Sequence, residues 1–411
     1  MTKTPISIMI EGLSQEGRGV GRDQGKTVFV TGAVPGDKVL IKVVTQHDRY
    51  DEAEIIKLEQ ASSDRREALC QYDSQCGGCQ LLPLKPDAQR YWKWQQFQTD
   101  LAKAVNMKYC QLDAPIYGNE VGYRRRARLV LGRNKSDKVA KLGFRAKGSN
   151  EVVDIEQCPM LTTSLNQSLA DKRQQCLDTA SRSLKELTVV EADNGIFWSD
   201  QPSQNLPCYR LGDLTLNFPV SGFVQVNAEI NRQMVDQALE WLALSPNHQV
   251  LDAFCGVGNF TLAIAQQLDQ KQGHVIGIEG DAELVEMAQQ NATTNSLDNA
   301  HFYKADLFQA ITDLTWFRKQ KYDRVLLDPG RQGAFALSKV LGQLKPERIV
   351  YVSCNTATLI RDLKALTQQG YRLKKATLLD MFPNTAHTEA MVLLVKSAKP
   401  VSKRKIGVFK L

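Results

Sequence analysis

The 411-residue sequence has no low-complexity tract, no internal repeat and no uninterrupted apolar run approaching the roughly eighteen residues of a membrane-spanning helix. Met1-Thr2-Lys3-Thr4-Pro5 leads into no apolar signal core, so a cytoplasmic protein without a membrane partner is expected. Neither sign of charge dominates: 52 Lys plus Arg stand against 45 Asp plus Glu, a net +7 that favours an anionic partner without defining one. Nine cysteines is an odd number, which speaks against a full disulfide framework and for ligands, nucleophiles or core residues. With 43% hydrophobic and 24% charged residues the composition is that of an ordinary globular protein, long enough for about two or three domains.

Three textures follow one another. Residues 1–60 contain short β-type runs (Ile6-Ser-Ile-Met-Ile10, Thr27-Val-Phe-Val30, Lys38 to Val44, Ala53-Glu-Ile-Ile56) between Gly and Pro turns, which predicts a small barrel. Its cluster Glu16-Gly-Arg-Gly-Val-Gly-Arg22 lacks a strand-then-helix frame, so it predicts tight turns and not a dinucleotide fingerprint. Residues 61–214 open with cysteines, continue through a helical stretch from Pro86 to Val105 and reach strand-like runs at Arg124 to Leu131 and Ala140 to Phe144. Residues 215–411 alternate strands and helices, predicting a doubly wound α/β sheet.

Within that sheet, Leu251-Asp-Ala-Phe-Cys-Gly-Val-Gly-Asn-Phe-Thr261 lies between a strand and a helix, where glycines let the backbone approach a ligand. Glu279 ends the next strand, placed to accept hydrogen bonds from ribose hydroxyls, and Asp306 follows the next, placed to meet an adenine edge. Gly256-Val-Gly258 also fits a nicotinamide dehydrogenase, but Thr261 stands where the third glycine belongs. Glycine loop, Glu279, Asp306 and Asp328-Pro329 in that order favour a methyltransferase.

Cys354 closes a strand and precedes a helix over Asn355 to Leu363, a position where the dipole and free amides favour a thiolate. A lone cysteine there is more often core than nucleophile. The chemistry gives it a use: C5 of uracil becomes nucleophilic once a thiolate adds at C6, and a base must then remove the C5 proton so that the thiolate can leave. Glu389 is the candidate base, His387 its competitor; Asp328 is placed to meet the uracil ring N–H, with Arg331 holding Asp328 or a phosphate. Cys70, Cys76, Cys79 and Cys158 offer four thiolates, which suit a tetrahedral zinc and a four-iron cluster equally. Between Val121 and Lys147 ten basic residues (Arg124, Arg125, Arg126, Arg128, Arg133, Lys135, Lys138, Lys141, Arg145, Lys147) stand against one acid, Asp137. On a strand, Arg124, Arg126 and Arg128 share one face at a pitch that suits a phosphate backbone, whereas Lys403-Arg-Lys405 reads as a solubilising tail.

The segments Phe223-Val-Gln-Val-Asn227, Phe254-Cys-Gly-Val-Gly-Asn-Phe260, Asp328-Pro-Gly-Arg331, Ser353-Cys354-Asn355 and His387-Thr-Glu389 resemble the ordered motifs of the RNA (uracil-5-)-methyltransferase family, and Gly12-Leu13, Gly17-Arg18-Gly19, Val28-Phe29-Val30 and Ala33-Val-Pro-Gly-Asp37 resemble a TRAM domain. The resemblance implies an N-terminal OB-like β-barrel, an α+β central domain and a C-terminal Rossmann-like class I methyltransferase domain. It implies S-adenosylmethionine contacts from Gln225, Phe254, Asn259, Glu279, Asp306 and Asp328, nucleophile Cys354 and base Glu389. Gly330 departs from the proline or alanine of many relatives, with little consequence expected. The cysteine set resembles that of the ribosomal branch, implying a [4Fe-4S] cluster and 23S ribosomal RNA, uracil 1939, as target; a monomer with no obligatory protein partner is expected. RNA cytosine-5 methyltransferases place a cysteine where Asp328-Pro329-Gly330 stands here. A transfer-RNA enzyme and a noncatalytic RNA-binding assembly factor are the alternatives.

Overall fold

The structure, a computed structural model, describes residues 5–134, 138–318 and 320–397; the Lys403 to Lys405 run lies outside them. Strands β1 (Ile6–Leu13), β2 (Gly19–Asp23), β3 (Lys26–Val30), β4 (Lys38–Gln46) and β5 (Tyr50–Gln60) close a barrel in the order β1-β2-β3-β5-β4, with β4 returning to pair with β1. Alternate residues Ile8, Ile10, Val28, Val30, Val39 and Ile41 fill it. The glycine cluster is only in part the turn expected. Gly17 has φ +77°, but Gly19 and Gly21 lie within β2, where an added Cβ would come within 2.8 Å of the Ala33 Cβ and 2.7 Å of the Met9 carbonyl. Close packing across a narrow barrel selects those two glycines.

Helix α1 (Pro86–Ala104) starts on a proline, as a first-turn position allows. It is followed by a two-residue strand, β6 (Gln111–Leu112). Strands β7 (Arg126–Arg133), β8 (Ala140–Arg145), β9 (Val152–Asp154), β10 (Lys185–Ala192) and β11 (Gly195–Trp198) make an antiparallel sheet ordered β11-β10-β7-β8-β9, and helix α2 (Thr163–Asp178) buries Leu165 and Leu169 against Leu129, Leu142 and Val189.

After a hairpin of β12 (Cys208–Leu211) and β13 (Leu214–Asn217) come α3 (Ala228–Leu242), β14 (Gln249–Ala253), α4 (Asn259–Gln267), β15 (His274–Glu279), α5 (Ala282–Thr294), β16 (Ala300–Lys304), α6 (Thr315–Arg318), β17 (Arg324–Leu327), α7 (Phe335–Val340), β18 (Arg348–Ser353), α8 (Thr356–Gln368), β19 (Tyr371–Leu379) and β20 (Glu389–Lys396). The sheet order is β16-β15-β14-β17-β18-β20-β19-β6; β14 to β18 are parallel and β20 runs antiparallel between β18 and β19. Apolar runs such as Val325-Leu-Leu327 and Ile349-Val-Tyr-Val352 are buried throughout, as strands covered on both faces require. Strand order reverses between β14 and β17, so a crevice opens at their carboxyl ends.

Residues 86–112, read in sequence with the central segment, cover this sheet: β6 pairs with β19, and Phe97 and Leu101 of α1 join the core of β14, β17 and β18. One polar contact pins α1. The Lys93 ammonium, 5% exposed, donates to Asp380 at 2.7 Å and to the Phe382 carbonyl at 3.0 Å. Burial lowers the Lys93 pKa while Asp380 opposes that shift. Lys93→Met strands a buried carboxylate and is expected to lower unfolding stability by roughly 3–5 kcal/mol in urea titrations; a loss under about 1 kcal/mol would show that the pair is dispensable. Among the described residues no helix is long and apolar enough to cross a membrane.

Candidate active site

At the carboxyl end of β14 the chain turns through Phe254 (φ +68°), Gly256 (φ +54°) and Gly258 (φ +98°) into α4. An added Cβ at Gly258 would press Leu262 at 3.2 Å, so the glycine both permits the turn and admits the helix. Beneath the loop, buried Asp252 accepts from the Thr261 hydroxyl at 2.5 Å, which gives Thr261 a reason to stand where a dinucleotide fingerprint has glycine. Glu279, ending β15, is held by amides: one oxygen takes Gly256 at 3.1 Å, the other Gly280 at 2.7 Å and Asp281 at 3.2 Å. Its remaining lone pairs suit hydroxyl donors. Asp306 lies just past β16 and accepts the Phe308 amide at 2.9 Å; exposed Phe308 packs tilted against half-buried Phe254, ring centroids 5.7 Å apart, an apolar surface beside the two acids.

Asn259 and Gln225 frame the other side. The Asn259 oxygen accepts from Tyr209 at 2.9 Å and Asn231 at 3.0 Å, and its amide donates back to Asn231 at 3.0 Å, leaving one N–H. The Gln225 carbonyl accepts from Arg125 at 2.9 Å. Arg125, stacked 4.8 Å from the Tyr209 ring, is a buried support that sequence reading set apart from its three neighbouring arginines only by alternation.

The candidate catalytic groups meet one strand over. Asp328 follows β17, Cys354 follows β18 and Glu389 begins β20, beside β18 in the same sheet. The Cys354 thiol is pushed up to about 12, by burial first and then by Glu389 and Asp328, with Arg331 acting against them. This corrects the expectation of a helix-favoured thiolate. The Asn355 side chain takes the Ala357 amide at 3.0 Å and the Thr358 amide at 3.4 Å, so the cap consumes the donors, and burial of the thiol outweighs what is left of the dipole. Burial and then Asp328 hold Glu389, 4% exposed, protonated well above the usual carboxylate range, and burial raises Asp328 to about 7. Arg331, which sequence reading set against Asp328 or a phosphate, lies 3.3 Å from the His387 ring instead. Gly330 has open space where a Cβ would stand, consistent with free exchange there.

The unpaired acids have a consequence for stability. Asp252 (raised to about 8), Asp328 (about 7) and Glu389 hold protons in the folded state that the unfolded chain releases near pH 4. The folded state binds more protons, so stability falls as pH rises. Raising pH from 6 to 9 is expected to lower the Tm of the free protein by roughly 5 °C, and a cationic ligand to restore part of it; a midpoint that rises across that range contradicts this arrangement.

Sequence reading missed what holds the segment before Glu389. Asn384 (φ +65°, 1% exposed) accepts from Arg66 at 2.7 Å and Gln89 at 3.1 Å and donates to the Glu120 carbonyl at 2.8 Å, tying the segment to residues 66–120. Phe223 was also missed: it is 64% exposed, two residues before Gln225, an aromatic face open to a stacking partner.

Away from the crevice, Cys70, Cys76, Cys79 and Cys158 lie close enough that neighbouring thiols help to raise those of Cys76, Cys79 and Cys158. Cys79 is pushed up to about 12, by burial and then by Cys158, Cys76 and Cys70. The Gly78 amide donates to the Cys76 sulfur at 3.4 Å, and the Met160 and Leu161 amides support Cys158. Among the described residues no set of three or more His, Cys, Asp or Glu side chains is arranged around a single ion. On the strand beside them Tyr123, Arg125, Ala127 and Leu129 are buried, while Arg124, Arg126 and Arg128 are less so. Arg126 is lowered by burial and by Arg128 and Arg124, and Arg128 reaches Glu186 only at 3.8 Å. Arg128→Ala is expected to flatten the salt dependence of RNA binding by about 0.7–0.9 in log Kd per log salt; an unchanged slope takes Arg128 off the RNA path.

The parallel sheet with its glycine loop and acids at successive strand ends defines a class I S-adenosylmethionine-dependent methyltransferase fold. The chain shares that fold with Pyrococcus abyssi tRNA (uracil-54, C5)-methyltransferase solved with S-adenosyl-L-homocysteine, at TM-score 0.72 and 23% identity, covering 95% of this chain and 100% of that one. Residues 207–397 match the tRNA (Uracil-5-)-methyltransferase family and residues 4–56 the TRAM domain. Proteins named 23S rRNA (uracil(1939)-C(5))-methyltransferase RlmD from Shewanella sediminis (38% identical; 94% of this chain, 95% of that one) and Haemophilus parainfluenzae (38%; 96% and 97%) align along nearly the full length. The chain belongs to the S-adenosylmethionine-dependent RNA (uracil-5-)-methyltransferase family.

Proposed function

We propose that the protein methylates C5 of uracil 1939 in 23S ribosomal RNA, with residues 1–60 and 61–214 holding the RNA and residues 215–411 carrying out the transfer. The observation that carries the reading is the convergence of Cys354, Asp328 and Glu389 at the ends of neighbouring strands, close enough that both acids act on the thiol and Asp328 acts on Glu389. Gln225, Phe254, Asn259, Glu279, Asp306 and Asp328 line the place for S-adenosylmethionine, whose sulfonium supplies the methyl group and a positive charge beside these carboxylates. Burial raises Asp328 to about 7, so S-adenosylmethionine should bind more tightly as pH rises from 6 to 8, and neutral S-adenosylhomocysteine show much less change; equal pH dependence in calorimetry would remove Asp328 from the sulfonium.

Once the Cys354 thiol and the Glu389 carboxyl have released their protons to solvent, Cys354 bonds to uracil C6 and electron density moves to C5, which takes the methyl group and leaves S-adenosylhomocysteine. Glu389 then accepts the C5 proton, the C6–S bond breaks, and the thiolate leaves with its electron pair. Arg124, Arg126 and Arg128 lie along the approach, and Phe223 offers a face to a base beside the flipped uridine.

Cys70, Cys76, Cys79 and Cys158 are proposed ligands of a [4Fe-4S] cluster. Four gathered thiols with amide donors on two of the sulfurs fit an anionic metal core. One zinc would draw its sulfurs to about 3.8 Å of each other, a closeness a larger inorganic core does not require. The cluster has no step in uracil methylation, so its part is to shape the RNA-facing loop. Iron and sulfide assays on anaerobically prepared protein test it: about four of each are expected, and stoichiometric zinc without sulfide overturns it.

Tritium release from RNA carrying 5-tritiated uridine tests the function. Release from a 23S fragment containing position 1939 and none from transfer RNA is expected; release from transfer RNA alone, or from neither, overturns the assignment.

A further inference from the structure

We propose that a cleft between the barrel and the cysteine loop binds one unpaired nucleotide of the RNA substrate, next to the target uridine. The cleft has a volume of about 490 Å³ and is lined by Arg18, Gly77, Phe144, Arg145 and Lys147, with Glu16 the one acid on its wall. That volume is within the usual range for a small-molecule site. Lys147 approaches Asp73 only at 3.8 Å, and Arg145, whose Nη1 donates to the Asn150 carbonyl at 3.3 Å, brings its Nη2 only within 3.7 Å of Glu186, so both cations keep donors for a phosphate. Phe144, partly buried, adds an aromatic side chain to the wall, and base stacking on such a ring is tolerant of sequence.

The cleft adjoins the catalytic segment. Gln80 donates to the Gly77 carbonyl at 2.8 Å and accepts the Ala386 amide at 3.2 Å, and Ala386 directly precedes His387. Its floor is stitched to the basic strand end: the Gly77 amide donates to the Arg145 carbonyl at 3.0 Å and the Lys147 amide to the Gln75 carbonyl at 2.8 Å. A strand whose target base lies at Cys354 therefore has a cationic, aromatic-walled recess within a few residues of Glu389. That favours an RNA nucleotide over an acidic peptide.

The inference rests on the RNA-methylating reading, and two measurements keep the failures separate. In photo-crosslinking with 4-thiouridine at each position flanking the target, one position is expected to crosslink to the peptides bearing residues 16–18 or 144–147. Lys147→Glu is expected to raise KM for the RNA about tenfold or more with kcat within about twofold, Lys147→Arg to restore it, and both to keep the wild-type thermal midpoint. On an RNA abasic at the crosslinking position, Phe144→Leu should have no effect, whereas on intact RNA it should raise KM. Wild-type methylation with crosslinks only elsewhere, or with KM unchanged in Lys147→Glu, overturns the cleft alone. If the wild type methylates none of the RNAs, the functional reading fails, and the crosslinks still decide whether the cleft holds RNA.

Discussion

Cys354→Ala is expected to lower methyl transfer to RNA by about 10⁴-fold or more, with S-adenosylmethionine affinity changed less than about threefold. Without addition at C6, uracil C5 has too little electron density to attack a sulfonium, and among the described residues no other at the crevice is a comparable nucleophile. Cys255 in the glycine loop is buried, and burial raises its thiol far above the ordinary range. Burial, then Glu389 and Asp328, raise the Cys354 thiol, and a sulfonium arriving at the crevice favours the ionised forms of the thiol and of Glu389 alike. Single-turnover transfer of a labelled methyl group is the measurement; residual activity within about tenfold of wild type would remove Cys354 from the reaction.

Glu389→Gln should act later. One methyl group per enzyme is expected to transfer, after which release slows by about 10²–10⁴-fold and a denaturant-resistant protein–RNA adduct accumulates on ordinary uridine. Glutamine keeps the shape of the side chain and removes the proton acceptor. A carboxylate whose buried site disfavours ionisation is a stronger base once ionised, suited to a proton on carbon. His387 is the competing base, with a pKa lowered by burial and by Arg331, Lys93 and Arg124. It is exposed and directed to Arg331 at 3.3 Å, and Glu389 and Asp328 are what the Cys354 thiol senses most. His387→Gln is therefore expected to retain turnover within about tenfold. An adduct that builds up in His387→Gln and not in Glu389→Gln reverses the two assignments.

How much of this was readable beforehand depends on how local the cause is. The runs at Arg324–Leu327 and Arg348–Ser353 and the helix from Pro86 were legible because burial on both faces, or a proline start followed by a long helical stretch, is written in adjacent residues. Strand β19 was not, since Arg372, Lys374 and Lys375 interrupt its apolar positions and its pairing with β20 comes from the far side of a loop. Gly19 and Gly21 looked like turns because the collisions that select them are with Ala33 and Met9. At the site, residue types and order named Cys354, Glu389 and the acids at the strand ends. The shifted protonation states were hidden, because they arise from carboxylates separated by tens of residues in sequence. The Asn384 anchor joins residues 295 and 318 positions apart and has no sequence period to reveal it.

The central claim, covalent addition of Cys354 to the target base followed by proton removal by Glu389, is tested most directly with S-adenosylmethionine and a 23S fragment carrying 5-fluorouridine at position 1939. Fluorine cannot leave as a proton, so a methylated covalent complex should accumulate, and peptide mapping should place the nucleotide on Cys354. An adduct on any other residue, or one that persists in Cys354→Ala, would contradict the account.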